Sequence, residues 1–256
     1  KKEDLIKLKE KINQLSIEEK KLRNLYLRKL SSGELYGPMT GYSSIDKPWL
    51  KCFNNDSINA LIEYEDKDIS MYEQLYNYGI NHLDDIILEY LGNEITYREL
   101  LDNIDKTAIA LINAGASHND IIPIILPNCP EARYLIYACS KIGAIPNPIM
   151  PTINSKDLLN IIESTKCKKI FIMNGLLDNY DETLKNKIKS LETVIEINPL
   201  RNSNGLYKML YLLNGKKNDQ FDLFLNQNNM SNYIPENILK SDIALIEQTG
   251  GTTGIT

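Results

Sequence analysis

The chain of 256 residues is 43 % hydrophobic and 25 % charged, and it carries a net charge of -5. These proportions are typical of a soluble globular protein and exclude a disordered, collagen-like or low-complexity polymer. The acidic balance argues against a protein that binds nucleic acid mainly through phosphates, because such proteins carry a basic excess.

The N-terminal part of the chain is predicted to be an extension to a later domain. Residues 1–29 hold ten basic and five acidic groups in two short amphipathic helical patterns, the second opened by the capping box Ser16–Glu19. We interpret the basic charges as a solvated helix face; the alternatives are self-association through residues 1–30 or a partner or membrane surface. Gly and Pro interrupt residues 33–70, where Trp49 is expected to anchor a lasso-like segment.

A regular alternation of helices and strands begins at residue 71. Short apolar runs predict the strands, whereas capping residues, apolar positions three and four apart and glycine stops predict the helices. The predicted helices cover 71–78, the stretch from the capping box Thr96–Glu99 to Gly115, Pro130 to Gly143, 156–164, 181–189 and 206–213. The predicted strands cover 86–90, 121–126, 145–149, 169–173, 193–197 and 242–247, and the rest of 198–238 is expected to be irregular.

This alternation favours an α/β fold with a doubly wound parallel sheet over residues 71–256, preceded by a helical and irregular extension over residues 1–70. In such sheets, ligands bind beyond the carboxyl ends of the strands. The loop that follows the last predicted strand, a buried strand at 242–247, is therefore expected to be a site.

The loop Gln248–Gly254, Gln-Thr-Gly-Gly-Thr-Thr-Gly, has the composition of a phosphate-binding loop. Its glycines allow positive φ angles and can present successive backbone N–H groups to an anion. The threonine hydroxyls can donate to phosphate oxygens, or one of them can face a magnesium ion. The Walker pattern is excluded because no Gly-Lys pair follows the first glycine at the required spacing. A Rossmann dinucleotide-binding site has no support, because no strand precedes a G-x-G-x-x-G sequence. The alternative interpretation is a flexible Gly/Thr segment.

The cysteines and histidines show no metal-binding pattern. They are Cys52, Cys129, Cys139, Cys167, His82 and His118. We expect reduced, buried thiols, a surface position for His118 and a core position for Tyr134. No apolar run approaches the length of a membrane span, and we find no secretory signal, so a cytoplasmic protein is expected.

Three segments resemble the AMP-forming adenylating enzymes, a family that includes acyl-CoA synthetases, adenylation domains of peptide synthetases and luciferases. Gln248–Gly254 is similar to the family's phosphate-binding loop, in the form common in fatty-acyl-CoA ligases. Ile95–Leu100 resembles its T-Y-x-E-L helix start, and Lys141–Pro148 resembles its G-A-x-x-x-P segment. The order and spacing of the three fit over residues 71–256.

The resemblance implies a two-step reaction that uses ATP, magnesium and coenzyme A. A carboxylic acid, expected to be a fatty acid, would form an acyl-adenylate and pyrophosphate, and coenzyme A would then take the acyl group and release AMP. The resemblance assigns no catalytic residue in this chain. The implied ATP-binding residues are Thr249, Gly250, Gly251, Thr252, Thr253 and Gly254, and the resemblance implies that Thr252 or Thr253 can face the magnesium ion that accompanies ATP.

The chain departs from the family pattern in two ways. Thr256 stands where the family usually has the proline of Pro-Lys-Gly, and the adenine-binding, ribose-binding and mobile C-terminal parts have no counterpart here. We therefore expect an N-terminal fragment that ends within the phosphate-binding loop of an enzyme and is inactive alone. The alternatives are a non-catalytic α/β binding or assembly module, a peptide-synthetase-type adenylation domain, and another nucleotide-binding α/β enzyme.

Overall fold

A computed structural model describes residues 21, 52–54, 56–57, 59–60, 69–215, 219–226, 238–239 and 242–248. The chain divides into two units, residues 1–68 and 69–256. The predicted N-terminal helices, the residues 1–30 expected to self-associate and the anchor Trp49 lie outside the described residues, apart from Lys21, which is helical and exposed.

In the second unit, the helices and strands predicted between residues 71 and 197 are all present, with small shifts at their ends. The helices are α1 Met71–Gly79, α2 Tyr97–Asn113, α3 Pro130–Ile142, α4 Ser155–Thr165, α5 Glu182–Lys189, α6 Gly205–Leu210 and α7 Phe221–Leu225. The strands are β1 Ile86–Tyr90, β2 Asn93–Thr96, β3 Ile121–Ile125, β4 Ile145–Ile149, β5 Lys169–Met173 and β6 Thr193–Ile197.

The local signals at helix ends act as the sequence predicts. The Thr96 hydroxyl accepts the backbone N–H of Glu99 at 3.3 Å, and the Glu99 carboxylate accepts the N–H of Thr96 at 2.9 Å, which completes the capping box of α2. Gly143 ends α3 with a φ of +74°. These contacts satisfy backbone groups that a helix end leaves without partners.

Strands β3 to β6 form one parallel sheet in the order β4-β3-β5-β6. Helices α3, α4 and α5 connect its successive strands, while β1 and β2 form a separate antiparallel hairpin ahead of α2. The predicted α/β class with a parallel sheet is confirmed.

Each face of the sheet is covered by its own apolar core. Adjacent residues of one strand enter opposite cores, because side chains alternate between the faces of a strand. Ile124 and Phe171 pack with residues of α2 and α3, including the buried Tyr134. Ile125 and Ile172 pack with residues of α4 and α5. Helices on both faces give the doubly wound arrangement.

The prediction was wrong in detail for residues 198–238. The helix predicted at 206–213 ends at Leu210 and continues as one π-helical turn, Tyr211–Gly215. Within the stretch expected to be irregular, α7 forms because Phe221 and Phe224 are both buried, and the Phe224 ring lies 5.2 Å from that of Phe171. Tertiary packing, which a five-residue pattern cannot reveal, stabilises this short helix.

Candidate functional site

The six predicted phosphate-binding residues lie outside the described residues. They are Thr249, Gly250, Gly251, Thr252, Thr253 and Gly254. The structure does describe residues 242–248, which lead directly into this loop. These residues show where on the sheet the chain enters it.

The segment 242–248 lies against the outer edge of β4, which accepts hydrogen bonds but donates few. The Pro146 carbonyl accepts the backbone N–H of Ile246 at 3.1 Å. Because successive backbone groups of a strand alternate between its two edges, Pro148 faces this same edge. Neither proline has an N–H group. A neighbouring segment can therefore donate hydrogen bonds to this edge, but Pro146 and Pro148 donate none to it.

The lack of donors at Pro146 and Pro148 explains why the prediction of a buried strand at 242–247 was wrong. The segment is extended but does not form a regular strand, and Ile243 exposes 56 % of its surface. A parallel ladder needs donors from both chains, and Pro146 and Pro148 withhold half of them. The apolar run Ile243–Ile246 therefore lies along a sheet edge and is only partly covered.

Two side-chain contacts show that the segment runs parallel to β4. Near its start, the Asp242 carboxylate lies 3.2 Å from Nε2 of His118, which is in the loop that leads into β3. At its end, Gln248 lies beside Asn147 in β4. The chain thus passes from the amino end of the sheet towards its carboxyl end, where ligands bind in parallel α/β sheets. Gln248, directly before the predicted phosphate-binding residues, therefore lies on that side of the sheet.

The contact between Gln248 and Asn147 leaves a buried donor available. Nε2 of Gln248 donates to Oδ1 of Asn147 at 3.4 Å, and the Asn147 side chain is completely buried. Nδ2 of Asn147 has no hydrogen-bond partner within the part of the chain that the structure describes. An unsatisfied buried donor costs ~1–3 kcal/mol, so this amide favours an acceptor oxygen at this point. The sequence analysis treated Asn147 only as part of a short strand.

His118 is an anchor for the segment rather than the surface residue that was predicted. Its side chain is only 27 % exposed, and its partner Asp242 also accepts the backbone N–H of Leu239 at 2.8 Å. The imidazole packs so closely on Gly143 that a Cβ atom there would lie 2.2 Å from Cδ2. Gly143 is therefore required for space as well as for its positive φ.

A second polar cluster, absent from the sequence predictions, lies beyond the carboxyl ends of β3 and β6. Glu131, the second residue of α3, is completely buried. Its Oε1 accepts Nδ2 of Asn202 at 2.6 Å and lies 3.2 Å from Nε of Arg201. Arg201 also pairs with Asp219 at 3.4 Å and with Asp222. The cluster joins α3 to the loop after β6 and to the start of α7.

Burial controls the electrostatics of this cluster. It raises the pKa of Glu131 to about 7, although Arg201 and Asn202 favour the charged form. Burial also lowers the pKa of Arg201, but its carboxylate neighbours, Asp219 foremost, raise it above the usual value. Oε2 of Glu131 has no partner among the described residues. A glutamate directly after Pro130 is typical of a solvated helix start, so the sequence carried no sign of its burial.

A cleft of about 530 Å³ opens beside the carboxyl ends of β5 and β6. Glu196 lines it and accepts the backbone N–H of Gly175 at 3.2 Å. Carboxylates outnumber amines in its wall, which disfavours a triphosphate. The charged lining residues are Asp178, Glu182, Glu196, Lys185 and Lys189.

Within the described ranges, no group of His, Cys, Asp and Glu has the arrangement of a metal site. None of the helices described there is long and apolar enough to cross a bilayer. Three cysteines, Cys129, Cys139 and Cys167, are buried with free thiols, whereas Cys52 is exposed. Burial raises the pKa of the Cys139 thiol well above its usual value, which makes that thiol unreactive.

Comparison with known proteins finds one family model, described as AMP-binding enzyme, which matches residues 80–255. Acetyl-coenzyme A synthetase of Dictyostelium discoideum is 29 % identical over 154 residues, covering 57 % of this chain and 21 % of that protein. Acetyl-coenzyme A synthetase of Bartonella quintana is 32 % identical over 155 residues, covering 56 % of this chain and 23 % of that protein. The chain thus spans less than a quarter of the length of these curated relatives.

Solved structures share the fold. The anthranilate CoA ligase AuaEII in complex with anthranoyl-AMP superposes with a TM-score of 0.59 at 15 % identity, covering 73 % of this chain and 33 % of that one. Coronafacic acid ligase from Pectobacterium brasiliense superposes with a TM-score of 0.56 at 21 % identity, covering 70 % of this chain and 33 % of that one.

Proposed function

Since the chain belongs to the AMP-binding enzyme family, we propose that it forms part of an AMP-forming acid–thiol ligase. Such an enzyme activates a carboxylic acid with ATP and passes the acyl group to coenzyme A. The observation that carries the proposal is the extent of the family match, which runs to residue 255 and includes the loop Thr249–Gly254. The anthranilate CoA ligase among the solved structures of the same fold supports it.

The proposed first step places an unusual demand on the loop. The substrate carboxylate attacks the α-phosphorus of magnesium–ATP, and pyrophosphate leaves with the electron pair of the broken P–O bond. Negative charge therefore grows on the β- and γ-phosphates. Backbone N–H groups of a glycine-rich loop and the hydroxyls of Thr252 and Thr253 are suitable donors to those oxygens, and threonine oxygen is a suitable magnesium ligand.

The residues in front of the loop would hold it in place during this step. The backbone N–H of Ile246 donates to the Pro146 carbonyl of β4, and Asp242 contacts His118 in the loop that leads into β3. Nδ2 of Asn147, which has no partner among the described residues, lies next to Gln248, on the side where the loop begins. A phosphate oxygen or a loop carbonyl is the kind of acceptor that this amide could bind.

In the second step, the thiol of coenzyme A attacks the acyl carbon of the adenylate and AMP departs. We propose a fatty acid as the acid substrate. Two relatives are named acetyl-coenzyme A synthetases, and a third, from Bos taurus, is named a short-chain family member, which supports the short end of that range. Peptide-synthetase-type adenylation would use a carrier protein in place of coenzyme A.

The proposal is tested by ATP–pyrophosphate exchange with the full-length protein. The acid panel should run from acetate to long-chain fatty acids and include an aromatic acid. We expect exchange that requires both an acid and magnesium, and AMP release that requires coenzyme A as well. Formation of ADP in place of AMP, or exchange that ignores the acid, would contradict the proposal.

A further inference from the structure

Asn147 lies between two apolar residues on one face of β4. Side chains alternate along a strand, so Asn147 shares its face with Ile145 and Ile149, each 4 % exposed, and Ile149 belongs to the core formed with α4 and α5. Asn147 itself is completely buried. Burial of a carboxamide among aliphatic side chains costs free energy unless its polar groups are hydrogen-bonded. A valine at this position would pack without that cost, so the carboxamide needs an explanation other than packing.

The carboxamide of Asn147 contacts the last described residue before the loop Thr249–Gly254. Its Oδ1 accepts Nε2 of Gln248 at 3.4 Å, while its Nδ2 has no partner in the ranges that the structure describes. Two residues earlier, the backbone N–H of Ile246 donates to the carbonyl of Pro146 at 3.1 Å. Neighbouring residues of β4 thus hold both the main chain and a side chain of the segment from which the loop starts.

The unsatisfied donor of Asn147 favours an acceptor oxygen close to Gln248. Because the side chain is completely buried, we expect this oxygen to come from the protein chain and not from a dissolved ligand. The position of the loop matters to the proposed reaction, since a displacement of about 1 Å in a catalytic site can decrease the rate 10²-fold.

We propose that Asn147 is a positioning residue for the phosphate-binding loop. Its Oδ1 fixes the side chain of Gln248, and its Nδ2 donates to an acceptor oxygen of the chain that follows Gln248. Asn147 acts on the reaction through the loop and contacts no reacting atom. The inference rests on the proposed adenylation, and it gives β4 a role in that reaction in addition to its place in the sheet.

The test uses the full-length protein and the variant Asn147→Val, which removes both polar groups and keeps a side chain suited to a strand. In ATP–pyrophosphate exchange we expect kcat to fall about tenfold or more and the KM for ATP to change much less, because donors of the loop matter most in the transition state. Urea unfolding should require the same or a higher denaturant concentration than in the wild type, because an unsatisfied buried donor is removed. Amide hydrogen exchange at residues 245–248 should be faster without ATP.

Asn198→Val is the matched control. Asn198 is also buried, at 7 % exposure, but its Oδ1 accepts the backbone N–H of Leu200 at 2.9 Å in the loop after β6. This variant should lose stability and keep the kcat of the wild type, which is the reverse of the result expected for Asn147→Val. Gln248→Leu provides a second variant. Because Asn147 acts through Gln248, the double variant should be no slower than the slower of the two single variants.

A wild-type kcat in Asn147→Val would overturn the inference, and so would an equal loss of kcat in Asn198→Val, which would attribute the loss to instability. Weaker ATP binding with unchanged hydrogen exchange at residues 245–248 would mean that the amide contacts the nucleotide, which also contradicts a positioning role. If the wild type exchanges no pyrophosphate with any acid, the proposed function fails and hydrogen exchange decides alone. Faster exchange at residues 245–248 in Asn147→Val then supports the inference, and unchanged exchange overturns it.

Discussion

The backbone N–H of Ile246 donates to the carbonyl of Pro146 on the edge of β4 that faces away from β3. The Pro146 carbonyl can accept this hydrogen bond, whereas Pro146 and Pro148 have no N–H group with which to donate at the same strand edge. It places the chain beside the sheet without a full ladder. The segment that carries the predicted phosphate loop is consequently held by a few identifiable contacts, and each of them can be removed separately.

Removal of the Asp242 carboxylate should loosen the approach to the loop. Asp242→Ala loses the contact with His118 and the bond to the N–H of Leu239, and each net hydrogen bond is worth about 1 kcal/mol. Because both contacts lie outside the two cores, we expect the variant of the full-length protein to show faster hydrogen exchange at residues 239–248 and a higher KM for ATP, with a small change in overall stability. Asp84→Ala is the control, since Asp84 is 88 % exposed and pairs with Arg98 on the surface. Equal effects of the two variants on KM would contradict the anchoring role.

Gly143 and His118 should show strong energetic coupling. Gly143→Ala introduces both a strained φ and a collision with the imidazole, so we expect it to lower the free energy of unfolding by ~2 kcal/mol or more. In a His118→Ala background the collision is absent, and about 1 kcal/mol from the φ strain should remain. Denaturant unfolding of the four proteins of this double-mutant cycle measures the difference.

Gly115 provides the matched control for that cycle. Its φ is +73°, nearly that of Gly143, but no atom of the described residues, its two chain neighbours aside, lies within 4 Å of the position of an added Cβ. Gly115→Ala should therefore cost about 1 kcal/mol whether or not His118 is present. A Gly143→Ala variant no less stable than Gly115→Ala would show that the imidazole moves aside freely.

The parts of the fold that local chemistry dictates could be predicted from the sequence. The Thr96–Glu99 capping box and the stop at Gly143 depend on residues within one helical turn, and the structure has both. The apolar runs of the parallel strands are equally local, because burial on both faces requires apolar residues at successive positions. Their alternation with helices was sufficient to predict the sheet.

The remaining features depend on contacts between residues far apart in the chain. Glu131 and Asn202 are 71 positions apart. Nothing in the sequence around either residue shows that the loop containing Asn202 would bury the Glu131 carboxylate. The irregular segment 242–248 could have been predicted from the sequence, because Pro146 and Pro148 at alternate positions of β4 indicate a strand edge with few backbone N–H donors. The loop Thr249–Gly254 lies outside the described residues, so its assignment stays a prediction.

The loop threonines should be required for adenylate formation and not for folding. In the full-length protein, Thr252→Val and Thr253→Val keep the side-chain shape but remove a donor to the phosphates. Loss of one donor of this kind costs about 3 kcal/mol of transition-state stabilisation, a decrease in rate of 10²-fold or more. ATP–pyrophosphate exchange measures the effect, and Thr165→Val, at the end of α4, is a matched control. Unchanged exchange in both loop variants would remove the loop from the triphosphate site.

The buried carboxyl of Glu131 should make stability depend on pH in a direction opposite to that of a normal salt bridge. Its pKa is about 7 in the folded protein, against 4.5 for the ordinary group, so the folded state binds the proton more tightly than the unfolded state does. The contribution of Glu131 is fully favourable below pH 4.5 and is lost as the pH rises towards 7.

Glu131→Gln, which resembles the protonated form, should gain stability relative to the wild type between about pH 5 and about pH 8, by ~1.4 kcal/mol per unit of pKa difference within that range. Urea unfolding at both pH values measures this change. Glu163→Gln, which changes an exposed glutamate on α4, is the matched control. A difference between wild type and Glu131→Gln that is independent of pH, or that moves the other way, would show that Arg201 keeps Glu131 ionised.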